Sequence, residues 1–159
     1  MPDDARIVTW QLGRPPRGSW RVAARCSYGH PTVIATAPDR DLPFPTLYYL
    51  TCPHLTTAVS AVESAGGVAR WRDEVAQDPA LAERFDSADA AYRAARGAEA
   101  GGADPFPLVG IAGQRDVRGV KCLHAHAAAF LAGVDDPVGE GVLADMAPEC
   151  DDCRCREAG

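Results

Sequence analysis

Residues 46–53 read Thr-Leu-Tyr-Tyr-Leu-Thr-Cys-Pro, and the conformational preference of the chain changes partway through them. Thr46 to Thr51 has the highest β-propensity in the sequence, because β-branched and aromatic side chains suit a pleated, half-buried surface. Cys52-Pro53 then ends the strand and starts a helix, since proline is accepted at the first helical position, where its missing N–H is not needed. Leu55, Val59 and Val62 follow at i, i+4 and i+7 and give that helix one apolar face, until Gly66-Gly67 stops it.

Working outward, Trp20 to Cys26 alternates, with Val22, Ala24 and Cys26 on one face. Tyr28-Gly29 is a turn signal and Thr32 to Ala37 a second strand, so the pair reads as a hairpin. Residues 1–19 carry Pro15-Pro16 and Gly18 and read as an irregular arm, with Ile7 to Leu12 as a possible short edge strand or helix. Downstream, Val68, Trp71 and Val75 mark a short helix. Asp78-Pro79 opens a longer one with an Asp cap, whose apolar stripe is Leu81, Phe85, Ala88 and Tyr92. Residues 97–114, rich in Gly and Ala and holding Pro105 and Pro107, read as a loop or a short strand. Val120, Leu123, Ala127, Phe130 and Leu131 define another helix, and Asp136-Pro137 caps a last one through about Ala147. The expected class is α+β: a small antiparallel sheet, hairpin plus third strand, covered by about five helices. One domain at 20–147 is expected between the arm 1–19 and a Cys-rich tail, 148–159.

A chain of 159 residues suits one domain, since this size buries roughly 70% of its unfolded surface. Hydrophobic residues at 47% and charged ones at 24% argue against disorder. The net charge of −6 disfavours binding to a nucleic-acid backbone, which needs concentrated positive charge. The first twenty residues hold two early acids and no apolar run, so they do not read as a secretory signal. No apolar stretch reaches the length of a bilayer span. The expectation is a cytoplasmic protein with no membrane and no nucleic-acid partner. There, six cysteines read as metal ligands or reactive thiolates rather than as disulfides, with plain buried thiols as the alternative.

Cys52 stands between a strand end and a helix start, where unpaired N–H groups and the helix dipole favour a thiolate. In Lys121-Cys122-Leu123-His124-Ala125-His126, helical spacing puts Cys122 and His126 on one side, as half of a metal site. His124 falls on the other flank, as a core histidine or a general base. Cys26 gains value only if the fold brings it to Cys52 and Cys122, and the same holds for His30. Cys150-x-x-Cys153-x-Cys155 resembles half of a zinc site and would be odd as packing in a polar tail. The Gly110-Ile-Ala-Gly113 loop, with Arg115 following, offers N–H groups and a guanidinium to an anion. Phosphate-loop, dinucleotide, metalloprotease and hydrolase motifs do not occur in the sequence.

Pro43 to Pro53 and Val120 to His126 resemble the hallmark segments of the bacterial "domain of unknown function 501" family, common in actinobacteria. The helix from Leu55 to Glu63, the Gly-Ile-Ala-Gly stretch and Asp136-Pro-Val-Gly139 fit the same pattern. The resemblance implies no established activity. It places Cys26, Cys52, Cys122 and His124 inside family motifs, and some members carry His at the position of Cys52, which suits metal ligation. Members are often encoded beside a septum-formation protein, an enolase and a polyphosphate-type phosphatase.

The leading expectation is therefore a metalloprotein in which Cys26, Cys52 and Cys122 converge where sheet and helices meet. His126 or the tail cysteines would complete the site. Zinc is preferred, with an iron–sulfur cluster second. An open position would make the site catalytic, with Arg115 or His124 serving a small-molecule substrate. A second expectation is a metal-free enzyme with Cys52 as nucleophile and His124 as base. A third is a non-catalytic partner protein in cell division or polyphosphate metabolism.

Overall fold

The computed structural model describes residues 3–38 and 44–158. The strand-to-helix switch falls where its composition puts it. β3 is Tyr48–Leu50, Cys52 caps the next helix in extended conformation, and α2 runs Pro53–Ser64 with proline in its first turn. β1 (Trp20–Arg25) and β2 (Pro31–Thr36) form the expected hairpin, and the sheet order is β1-β2-β3, antiparallel throughout. Val33 faces Leu50 across the ladder, and Ala35 faces Tyr48. β1 is bulged on both sides of Ala24, so the simple alternation that put Cys26 in line with Val22 does not hold.

β2 is buried at five of its six positions, which a sheet covered on one face cannot explain. Residues 4–12 supply the second cover. Within the stretch expected as an irregular arm they form the helix given as an alternative for Ile7 to Leu12, three residues longer at its start: α1 (Asp4–Leu12), capped by the Asp3 carboxylate and ended by Gly13 at φ 74°. Its Ile7 and Val8 are buried, and it packs on β2. On the other side Val33, Ala35 and Tyr48 meet Ala88 and Tyr92 together with Ala125, Ala128 and Ala129.

The helical layer continues with α3 (Gly67–Gln77), α4 (Pro79–Glu99), α5 (Leu123–Leu131) and α6 (Pro137–Ala144). That makes six helices among the described residues, against about five expected. α4 buries Ala82 rather than Leu81 at the start of its stripe, and continues through Phe85, Ala88 and Tyr92 to Arg96. α5 is buried nearly all round. Its Ala125, Ala128 and Ala129 serve the sheet side, while Leu123 and Ala127 join Val59, Trp71, Phe85, Val138 and others in a second core. Such a helix must be made of small residues, since partners approach from every side. α6 stops at Ala144, three residues short of expectation.

Candidate functional site

The chemistry-bearing residues fall into two groups rather than one. The first lies where the start of α5 meets the side of α2. Cys122 is not inside the helix. It is the N-cap of α5, at φ −144°, ψ 116°, so the four-residue helical offset to His126 does not apply to it. Its neighbour is His124, and across from both stands Glu63 of α2. One ligand atom from each of Glu63, Cys122 and His124 lies within 4.8 Å of the other two, and no other trio of Cys, His, Asp and Glu does so among the described residues.

Each member of this tripod is oriented. His124 Nδ1 lies 3.2 Å from Glu63 Oε1. Its Nε2 lies 3.2 Å from the Thr56 carbonyl oxygen and 3.1 Å from Ser60 Oγ. Glu63 Oε2 also accepts from the Leu123 N–H at 3.4 Å. Burial pushes the Cys122 thiol up, but the His124 hydrogen bond and the Ala125 N–H together outweigh it, and the net direction is down. His124 is held above the ordinary imidazole value by its hydrogen bond to Cys122 against the opposing effect of burial, with Thr56 and Glu63 adding to the rise. The sequence reading missed Glu63. A signal was present: Thr56, Ser60 and Glu63 form a polar i, i+4, i+7 stripe on α2, beside its apolar one.

The second group gathers at the end of the β1–β2 hairpin. Cys26 N–H donates to the His30 carbonyl at 3.0 Å, and Cys153 Sγ lies 3.8 Å from His30 Nδ1. Gln11 Nε2 reaches both the Pro31 carbonyl, at 2.8 Å, and Cys155 Sγ, at 3.3 Å. Cys52 N–H points to the Thr32 carbonyl at 3.4 Å. Tyr28 donates its hydroxyl to the Cys150 carbonyl at 2.9 Å. Cys26, Cys52, Cys150, Cys153 and Cys155 are thus each linked, directly or through one residue, to residues 28–32 of the hairpin, and all are free thiols. Burial raises Cys52 and Cys155, and the neighbouring thiols raise both further.

Several expectations are corrected. Cys52 does not have a lowered pKa, because burial outweighs the Leu55 and His54 N–H groups that face it. Cys26 and Cys52 are neighbours of the tail, while Cys122 stands apart from them with Glu63 and His124. His124 pairs with Cys122 and not with Cys52. His126 is fully buried, and its Nδ1 sits 2.6 Å from Asp136 Oδ2. Asp136 Oδ1 meanwhile caps α6 through the Val138 and Gly139 N–H groups. His126 therefore ties α5 to α6 instead of joining Cys122.

Arg115 is an exposed loop residue with no contact to either group. Three of the four N–H groups of the glycine loop before it are already engaged. Gly110 donates to Gln114, Ile111 to Asp89 Oδ1, and Gly113 to Gly110.

Among the described residues no helix is long and apolar enough to cross a membrane. No curated protein and no solved structure matches the chain. Residues 22–144 match a family model described as "Protein of unknown function (DUF501)", a span that holds Cys26, Cys52 and the whole tripod and ends before the tail cysteines. The chain belongs to the DUF501 family.

Proposed function

We propose that the protein binds one zinc ion through Glu63, Cys122 and His124, and that this open site activates a bound water for hydrolytic chemistry. The observation that carries the reading is the convergence of three unlike donors, sulfur, nitrogen and oxygen, within 4.8 Å of one another. That donor set suits zinc, and three protein ligands with a fourth position open is the arrangement of catalytic rather than structural zinc sites. The second nitrogen of His124 supports the same reading. A metal-ligating imidazole gives its other N–H to a carbonyl or carboxylate, which fixes tautomer and ring orientation. Here Nε2 has the Thr56 carbonyl, which leaves Nδ1, on the Glu63 side, to ligate. The His124 and Glu63 side chains are 26% and 27% exposed, so water and a small substrate can reach them.

The test is metal analysis of the purified chain, followed by cobalt substitution. In a chain whose tail thiols are removed (Cys150→Ser/Cys153→Ser/Cys155→Ser), about one ion is expected, with a thiolate-to-cobalt absorption band that adding Cys122→Ser abolishes. A band that survives Cys122→Ser overturns the assignment.

A second reading is favoured by a different observation: the hydrogen bond between Cys122 and His124 lowers the thiol and raises the imidazole, the direction in which a Cys–His pair is activated as a nucleophile without a metal. It moves the nucleophile from Cys52 to Cys122. A protein isolated without metal, in which one thiol alkylates far faster than the rest, would establish it over the zinc reading.

A further inference from the structure

The tail after α6 is held by less than its order requires. Cys155 and Ala158 share an apolar cluster with Ile7 of α1 and no other buried residue. Polar contacts add the Ser27 N–H and hydroxyl on the Glu149 carboxylate, and Tyr28 on the Cys150 carbonyl. Fixing backbone costs conformational entropy at every residue, which so small a cluster and a few exposed hydrogen bonds offset only in part. The tail nevertheless buries Cys153 and Cys155 to 8% and 6% exposure. It also holds Cys153 at φ 45°, a left-handed conformation strained for a residue with a Cβ. What it brings to the hairpin is sulfur.

We propose that four of the five thiols Cys26, Cys52, Cys150, Cys153 and Cys155 hold a second metal ion, in a centre with His30 at its edge. It is a closed thiolate site for one zinc ion that staples the tail to the hairpin and to the cap of α2. The ligands come from three separated stretches of chain. Cys26 leaves β1, Cys52 sits between β3 and α2 on the Thr32 carbonyl, and the tail supplies a Cys-x-x-Cys knuckle with one further thiol. His54 Nε2, at 2.8 Å from the Ala147 carbonyl, brings the start of the tail to the same end of α2.

No three of these sulfurs lie mutually within 4.8 Å, and tetrahedral thiolate ligation needs about 3.8 Å. The sulfurs must therefore draw together on binding the ion. With four sulfurs on the ion no position is left for a substrate, so this centre is structural where the tripod is open. The two assignments stand on different residues and fail separately.

The full chain, purified anaerobically, is analysed by native mass spectrometry and visible absorbance beside two variants. In Cys150→Ser/Cys153→Ser/Cys155→Ser the zinc count is expected to fall by one per chain. Limited proteolysis should then cut the tail at least tenfold faster, with unchanged helical circular dichroism. In Cys122→Ser/His124→Asn the other ion should be lost while the tail stays protected. Full zinc content and full protection in the tail variant would overturn the proposal. So would a brown chromophore with labile sulfide that the tail variant bleaches, which would make the centre an iron–sulfur cluster.

Discussion

Cys52 and Cys122 occupy the same local position, an extended N-cap ahead of a helix, and neither accepts a cap hydrogen bond through its side chain. Helix-dipole reasoning treats them alike. Their surroundings do not: burial dominates at Cys52, and an imidazole two residues on reverses the outcome at Cys122. In chelator-treated protein at pH 7, iodoacetamide followed by peptide mapping should therefore modify Cys122 well ahead of Cys52. His124→Gln should slow Cys122, by roughly tenfold for each unit its pKa rises. Labelling that begins at Cys52 would refute this order. Ser60 acts on the site through His124 Nε2. Ser60→Ala should weaken zinc binding by on the order of tenfold in a competition titration, without removing a ligand.

α4 shows what an element can hide from pattern reading. Its last turn carries Arg96, fully buried and bonded to both Asp104 oxygens and to the carbonyls of Pro45, Phe106 and Val109. One guanidinium thus fastens the Gly- and Ala-rich loop to the helix and to the segment entering β3. Arg96→Leu strands the Asp104 charge and three carbonyls. It should cost about 3–5 kcal/mol in urea unfolding, as removal of one partner of a buried pair does. Burial pushes the Asp104 carboxyl up, but Arg96 and the Phe106 N–H outweigh it and hold it below the ordinary range. A carboxyl lowered on folding contributes stability that is fully present above its unfolded value near 3.9 and lost as pH falls through the folded value. Stability should accordingly decline below about pH 4, and Asp104→Asn should flatten that decline. An acid limb unchanged by the substitution would place the titrating groups elsewhere.

Across the whole molecule, α5 is the helix buried on most sides, packed against α2, β3 and α6, and its contact with α6 is closer than a side chain on Gly139 allows. A Cβ on Gly139 would lie 2.1 Å from the His126 carbonyl oxygen, in a helix whose cap also holds the His126 ring. Backbone against backbone cannot yield as a flexible side chain does. Gly139→Ala should destabilise the fold by about 1–3 kcal/mol by forcing α5 and α6 apart. Because α5 also carries His124, the same substitution should lower zinc affinity. A thermal melt together with a cobalt titration reads both effects, and a melt matching the unaltered protein would show that the two helices separate at little cost.

The order of elements was legible because local preference and hydrophobic period agreed: the hairpin, the strand-to-helix switch at Cys52-Pro53, and the proline-started helices with their Asp caps at Asp78 and Asp136. Cys122 and His124 of the candidate site stood out as well, since cysteines and histidines at metal-like spacing are conspicuous in a chain of ordinary composition, while Glu63 did not. α1 was harder to read: only Ile7 and Val8 are buried within it, between polar neighbours, and its fold depends on the β2 face it covers. Partner choice was decided by the tertiary structure alone. Spacing joined Cys122 to His126 only while Cys122 was taken as helical, and one residue's extended backbone turned it to His124 and Glu63. The sequence by itself determined which elements form and which side chains can carry chemistry, because those follow from short-range sterics and periodicity. Only the packing of α2 against α5, and of the tail against the hairpin, decided how those side chains are grouped, because such contacts join residues far apart in the chain.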